Sequence, residues 1–348
     1  MGIAGGRAVY FRTRVLAALA ALALVLGLAA CGGSSDGDGT DAESTEATSQ
    51  PIKAVSNSTE TIPIPFNPEN KKVTLTIGSK NFPEQEILGE IYAQALAAAG
   101  FKVKTALNLG SETIARKAVK TGQISGYPEY ASTALTSFFG FEPEEVPSNP
   151  EAAQQKANEE FLEEGLQTFN PTPFASANAV GTTRETAEKY GLKTISDLEG
   201  VSEKLSLYGS PECRQRIDCL AGLEKLYGLK FKSFTPVDIG LRYPVLEKGQ
   251  ADLSILFTTD PQLSAESDKF VILKDDKHVF PAGNVIFVHK RATAWEAGSG
   301  LELSIQAVQE GLTLKVMQEL DARVELEKET PEEVARAYLE SAGYIAKQ

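Results

Sequence analysis

The sequence predicts an α/β protein of two lobes, the first built on a largely parallel, doubly wound sheet. Strand-like alternation passes into helical periodicity three times between residues 73 and 139, the signature of successive β-α units. A second series of such units fills residues 178–257. Beyond it the apolar run 285–289 reads as a strand returning to the first lobe, so that two crossings join the halves. A cleft between lobes is a preferred place for a small ligand. The 348 residues are enough for two domains, at roughly 150 residues each.

The chain opens with a leader. Arg7, Arg12 and Arg14 precede the apolar run 15–26, and Leu28-Ala29-Ala30 lead into Cys31. A positive flank, an apolar segment and small residues make residues 1–30 a secretory signal peptide, too short for a membrane span. Leu-Ala-Ala-Cys also resembles the bacterial lipobox, which implies cleavage before Cys31 and a lipid on its thiol. The alternative is ordinary secretion with Cys31 a spare thiol. Loss of the leader removes three arginines and no acid, which moves the net charge from −13 to −16. That balance argues against nucleic acid, whose phosphates need clustered Lys and Arg. It suits a cationic or zwitterionic ligand. Residues 31–71 are Ser-, Thr-, Asp- and Gly-rich with almost no apolar periodicity, and read as a tether below a lipidated cysteine.

In the body, Val73, Leu75 and Ile77 alternate with Thr74 and Thr76 as a strand. Pro83, with Glu84 and Glu86, suits the first turn of a helix that runs to Gly100. Gly78-Ser79-Lys80-Asn81-Phe82 therefore sits where a strand's carboxyl end meets a helix's amino end, the ligand position of open α/β sheets. Residues 102–107 read as a strand, Gly110-Ser111-Glu112 as the opening of a helix ending near Gly122, and 124–127 as a third strand. Pro128-Glu129-Tyr130 reads as a turn into a helix over 133–139. A helix over 151–167 follows, then a strand at 178–181. The second lobe continues with a helix at 186–190, a strand at 205–208, a helix at 220–227, a turn and helix over 237–248 and a strand at 251–257 ending in Thr258-Thr259-Asp260. Short strands at 271–273 and 285–289 lead to amphipathic helices over 303–311, 313–323 and 332–341. The expected lobes are 72–176 with 284–348, and 177–283.

Catalytic signatures are missing: no G-x-S-x-G, H-E-x-x-H, P-loop or dinucleotide glycine pattern occurs in the body. His278 and His289 have no motif spacing to a second metal ligand, and each reads as structural or surface. No enzyme activity, metal or cofactor is expected. Cys213 and Cys219, six apart in an exported chain, read as a disulfide ahead of two free thiols. Binding residues are better supported. Phe82, Tyr127, Tyr130 and Tyr208 stand at strand ends or junctions, where aromatic faces can hold a quaternary ammonium at roughly 0.5–2 kcal/mol each; for any one of them, core packing is the plainer reading. Lys80 and Arg216 can take a carboxylate from opposite walls.

The stretches IGSKNFPEQEILGEIYAQAL (77–96), LNLGSETIARKAVKTGQISGYPEYASTAL (107–135), NAVGTTRETAEKYGLKTISDL (178–198), PECRQRIDCLAGLEKLYG (211–228) and ADLSILFTTD (251–260) resemble the substrate-binding proteins of bacterial ABC-type importers for glycine betaine, choline and carnitine. The resemblance implies a two-lobed periplasmic-binding-protein fold of type II, with mixed sheets closing on ligand. It implies a lipid-anchored, monomeric receptor outside the cell membrane that delivers an osmoprotectant to an ABC permease; the alternatives are a receptor of the same fold for an amino acid or aromatic compound, and a surface lipoprotein enzyme. By family pattern Tyr130 resembles a cage tyrosine, Thr133 and Lys80 carboxylate partners, and Arg216 the closing arginine. Asn178, Thr259 and Asp260, at strand ends of the second lobe, complete the expected ligand site. The chain departs from the pattern where relatives place tyrosines: it has Ala179 and Val180, Phe257 and Gly283. Phe82, Tyr127 or Tyr208 would then substitute in the cage.

Overall fold

A computed structural model of the protein describes residues 62–347. The leader, Cys31 and most of the expected tether lie outside the described residues. The packed body begins before Lys72, however. Ile64 is buried and its amide donates to the Tyr344 carbonyl at 3.0 Å. Asn70 is buried too, its side-chain amide on the Ala99 carbonyl at 2.8 Å. These contacts are few and specific, and no periodicity announces them.

Strands β1 (Thr74–Gly78), β2 (Lys102–Ala106), β3 (Gly126–Tyr130), β4 (Leu166–Thr168) and β5 (Ala175–Ser176) belong to one sheet. The chain then crosses at Ala177 into a second sheet of β6 (Asn178–Thr183), β7 (Ser206–Gly209), β8 (Ser233–Pro236), β9 (Leu253–Phe257) and β10 (Phe270–Ile272). As expected, β11 (Gly283–Lys290) returns to the first sheet, whose order is β2-β1-β3-β11-β4 with β5 also on β11. The second sheet runs β10-β6-β9-β7-β8.

The first sheet is mixed rather than largely parallel. β1 is parallel to β2 and β3, but β11 runs antiparallel to β3, β4 and β5. In the second sheet β7 is parallel to β8 and β9, whereas β6 is antiparallel to β9 and β10. The chain leaves the first sheet at Ser176 and re-enters beside it at Gly283, so β11 runs back against β5. Pro128-Glu129-Tyr130 is also strand, not turn. The β1 ladder reaches β3 only at Gly126, so proline's missing N–H leaves no donor wanting on that side.

Helix α1 (Pro83–Ala98) starts as expected on Pro83 with Glu84 and Glu86 in its first turn. It buries Ile87, Leu88, Ile91, Tyr92 and Leu96 between the first sheet and the C-terminal helices Ser299–Gln309, Leu314–Glu325 and Pro331–Ser341. Each such aliphatic side chain contributes about 1.5–3 kcal/mol relative to exposure. Helix α2 (Glu112–Thr121) stops at Gly122, whose φ of 77° is the left-handed cap that glycine adopts freely. A short turn, α3 (Ala131–Thr133), leads on from β3. The second sheet has its own core around Val180, Leu207, Leu223 and Ile255. Strand β8 and the helix Arg291–Ala297 carry no sequence pattern strong enough to have been expected. Among the described residues no helix is long and apolar enough to cross a membrane.

Candidate functional site

The carboxyl ends of the parallel strands converge. From the first sheet, Lys80, Asn81 and Phe82 follow β1, Ser111 and Glu112 follow β2 at the start of α2, and Ser132 and Thr133 follow Tyr130 of β3. From the second, Asn178 opens β6, Ser210 follows β7, and Phe257 ends β9. All line one cleft with about 850 Å³ of empty space, its mouth included.

Lys80 is buried and paired with Glu129, which is fully buried on β3. The same carboxylate accepts the Tyr130 amide at 2.8 Å and the Tyr127 hydroxyl at 3.2 Å. Burial pushes the Glu129 carboxyl above its usual range, and the Lys80 ammonium pulls it part of the way back. The ammonium lies 4.4 Å from the Tyr130 ring centroid and 5.7 Å from that of Phe82. Lys80 therefore lines the cleft, but not as the free cation expected of a carboxylate partner. Tyr127 does not line it: its ring is enclosed in the first-lobe core with Ile124 and Leu135, and its hydroxyl is spent on Glu129.

The aromatic wall is Phe82, Tyr130 and Phe257. Phe82 and Tyr130 are nearly parallel, 12° apart with centroids at 6.4 Å, and Phe82 meets Phe257 at 5.3 Å. The guanidinium of Arg242 covers Phe257 at 4.1 Å. Arg242 is itself tied to Asp260 at 2.9 Å, and Asp260 accepts the Tyr243 hydroxyl at 3.0 Å. Asp260 thus stands behind the wall, holding Arg242, rather than facing the cleft. Thr259 is likewise buried, its hydroxyl 3.0 Å from that of Ser176. Tyr208 packs against the second-lobe cluster of Tyr243 and Leu256 instead of the cage. Thr133 and Asn178 do line the cleft, and Asn178 donates to the Asp218 carbonyl at 2.8 Å.

Arg216 lines the opposite wall. It sits in the segment closed by the Cys213–Cys219 disulfide and grips Asp218 with two bonds of 2.8 and 2.6 Å. Across the cleft its guanidinium comes to 3.8 Å of Glu112, on α2 of the first lobe. Burial alone would lower its pKa, but Asp218 and then Glu112 more than offset that, and the guanidinium stays charged. Each cation of the lining thus has a carboxylate at hand, so a ligand's own positive charge meets no uncompensated repulsion.

Behind Tyr130 lies a second buried acid. The Tyr130 hydroxyl donates to Glu84 Oε1. Glu84 faces Asp321 of the helix Leu314–Glu325, and burial raises both carboxyls above their usual values. Glu84 Oε2 and Asp321 Oδ1 accept no hydrogen bond from another residue's fixed donor. A proton kept on one of these carboxyls removes the repulsion between two buried acids.

Sequence reasoning missed Glu112, Asp218, Arg242, Ser132, Ser176 and Phe280 among the lining residues. Glu112 was within reach, since Gly110-Ser111-Glu112 is the same kind of strand-to-helix junction as residues 78–82. Arg242 and Phe280 stand in stretches with no such signal.

A family profile described as the "Substrate binding domain of ABC-type glycine betaine transport system" matches residues 73–341. The chain belongs to that family. It is 34% identical over 279 residues to a "Glycine-betaine-binding protein" of Pseudomonas aeruginosa, covering 76% of this chain and 87% of that one. It is 30% identical over 283 residues to the "Ergothioneine transport permease/ergothioneine binding protein" of Helicobacter pylori, covering 80% of this chain but only 49% of that longer protein. Among solved structures, a "glycine betaine/carnitine/choline ABC transporter" protein aligns at a TM-score of 0.61 and 26% identity, over 78% of this chain and 99% of that one. The two-lobed binding-protein fold of this family is the fold of this chain. It is the substrate-binding component of an importer.

Proposed function

We propose that the protein is a lipid-anchored receptor on the outer face of the cell membrane. It captures a quaternary-ammonium osmoprotectant of the glycine betaine, choline or carnitine type and hands it, as a monomer, to an ABC permease. The observation that carries this reading is the meeting of aromatic rings from both lobes, Phe82 and Tyr130 of the first and Phe257 of the second, with the charged pair Arg216 and Asp218 of the second. A methylated cation gains from aromatic faces and neighbouring carboxylates, and a carboxylate or hydroxyl from Thr133, Ser132 and Asn178. We place the hinge at the two crossings, between β5 and β6 and between β10 and β11, with lobes of 72–176 plus 284–348 and 177–283. A ligand that touches both walls favours the closed arrangement by its differential affinity alone. The lipid anchor rests on the Leu-Ala-Ala-Cys31 motif.

Calorimetry of the mature protein against glycine betaine, choline, carnitine, ergothioneine and proline tests the ligand class. Binding of at least one quaternary amine, abolished by Tyr130→Ala with Phe82→Ala, is the expected result. Silence toward every quaternary amine would overturn the reading. Mass spectrometry of the membrane-extracted protein for a diacylglycerol on Cys31 tests the anchor.

A further inference from the structure

The disulfide closes a short loop, where a fold staple gains least. Cys213 lies in the turn Pro211–Arg214 and Cys219 stands just before the helix Leu220–Tyr227, six residues on, with Cα atoms 5.1 Å apart. The stabilisation a disulfide gives by restricting the unfolded chain grows with the loop it closes, and this loop is near the small end. The surrounding lobe has its own apolar core of Val180, Leu207, Leu223 and Ile255, so it is not one of the small coreless domains that depend on disulfides.

What the loop does carry is the charged wall of the cleft. Arg216 and Asp218 line it from within the loop, and Glu212 from just before Cys213. Between the two cysteines no strand or α-helix fixes the backbone; its bonds are those of single turns, Gln215 to Glu212 at 3.0 Å and Cys219 to Arg216 at 3.1 Å, and the one that Asn178 donates to the Asp218 carbonyl at 2.8 Å. Both half-cystines are buried, and the Leu220 amide rests on Cys213 Sγ at 3.3 Å. The following helix crowds the loop so closely that a Cβ on Gly222 would lie 1.8 Å from the Ile217 carbonyl.

We propose that the Cys213–Cys219 disulfide is a positioning element of the ligand wall, holding the turn that aims Arg216 and Asp218 into the cleft and toward Glu112. Ligand capture, more than folding, depends on the bond. This rests on the cleft being the ligand site. An arginine held by Asp218 and Glu112 keeps its direction only if the backbone beneath both Arg216 and Asp218 is fixed, and the disulfide spans that backbone from end to end.

The test is a cycle of four proteins: wild type, Cys213→Ala/Cys219→Ala, Arg216→Ala, and all three changes together. Calorimetry gives Kd for glycine betaine, thermal unfolding gives Tm of the unliganded proteins, and 15N NMR of the unliganded proteins gives the exchange rate of the Arg216 Nε proton. The cysteine variant is expected to bind about tenfold more weakly or worse, to keep Tm within a few degrees of wild type, and to exchange the Arg216 Nε proton about tenfold faster or more. In the Arg216→Ala background, loss of the cysteines should change Kd little, because their effect passes through that side chain. Unchanged affinity and exchange, an equal loss of affinity with and without Arg216, or a collapse of Tm each overturns the proposal. If wild type binds no quaternary amine, the proposed function fails instead, and the exchange rate still decides whether the disulfide positions Arg216.

Discussion

The Lys80 ammonium stands 4.4 Å from the centroid of the Tyr130 ring while its charge is met by the buried carboxylate of Glu129. One face of the expected cage tyrosine is thus already in contact with a cation that belongs to the protein. Removing that cation alone strands the carboxylate. Lys80→Met should destabilise the protein by about 3–5 kcal/mol, the usual cost of breaking one side of a buried pair. Lys80→Met with Glu129→Gln should recover much of it, since the amide oxygen can still accept from the Tyr130 amide. Urea unfolding decides: a single variant as stable as wild type would mean the pair is not formed.

The groups that span the cleft should rank by burial. Arg216→Ala leaves Asp218 and Glu112 facing each other without a cation, and should raise Kd by roughly tenfold to a thousandfold, mostly through faster release. Glu112→Gln, which leaves the Arg216–Asp218 grip intact, should cost less. The rim pair Lys225–Glu142, at 2.7 Å but with side chains about half exposed, should matter least, at under about 1 kcal/mol and less still in high salt. Stopped-flow release rates of the three variants check the order, and a rim variant that releases faster than Arg216→Ala would contradict it.

Gly283 leaves no room for the tyrosine expected at that position. A Cβ there would lie 2.2 Å from Ser132 Oγ and 3.0 Å from the Ser132 amide nitrogen. Gly283→Ala should therefore lower stability by about 1–3 kcal/mol through overpacking, and Ser132→Gly in the same chain should relieve part of it. Phe257→Tyr, at a partly buried position on the cleft wall, should be tolerated. Thermal unfolding of the three variants gives the comparison.

Stability should fall as pH rises from about 4, because of Glu84 and Asp321. Burial raises both carboxyls, for Asp321 with Glu84 as the next cause, so the folded protein keeps a proton that the unfolded chain gives up near pH 4. The folded state then binds more protons, and stability, full below that pH, declines through the window up to the raised values. Tyr130, Asp260 and Glu325 face the pair. Asp321→Asn should flatten the decline by up to about 1.4 kcal/mol per pH unit. His289 acts with the other sign. Burial lowers its imidazole, so its contribution is present above about pH 6.5 and is lost as pH falls toward the lowered value. Unfolding at fixed urea from pH 4 to 8, for Asp321→Asn and His289→Phe, separates the two; an unchanged slope in both would refute the assignment.

Much of this fold was legible because its signals are local. Val73 to Ile77 alternate, Pro83 and the acids behind it mark a helix start, and residues 285–289 form an apolar run, so the strands, α1 and the return to the first lobe all follow from neighbours in sequence. The direction of β11 did not, because parallel and antiparallel strands share one apolar pattern and only the path between lobes distinguishes them. Among the residues that line the cleft, strand ends and family motifs point to Lys80, Phe82, Tyr130, Thr133, Asn178 and Arg216. What escaped was pairing at a distance. Nothing near Lys80 in sequence says that Glu129 neutralises it, and nothing near Asp260 says that it serves Arg242 instead of a ligand. Tyr127 and Tyr208 were placed in the cage on residue type and location alone, and packing assigned them to the cores.

The bond from the Ile64 amide to the Tyr344 carbonyl, 3.0 Å long, ties the beginning of the described body to its last residues. A domain whose extremities adjoin can be rewired. A short flexible linker would join residues 345 and 64, and new termini could be opened in an exposed turn of the second lobe, such as Gly228, where the backbone touches nothing within 4 Å of an added Cβ. Such a circular permutant would move any attachment point from the first lobe to the second while leaving the cleft intact.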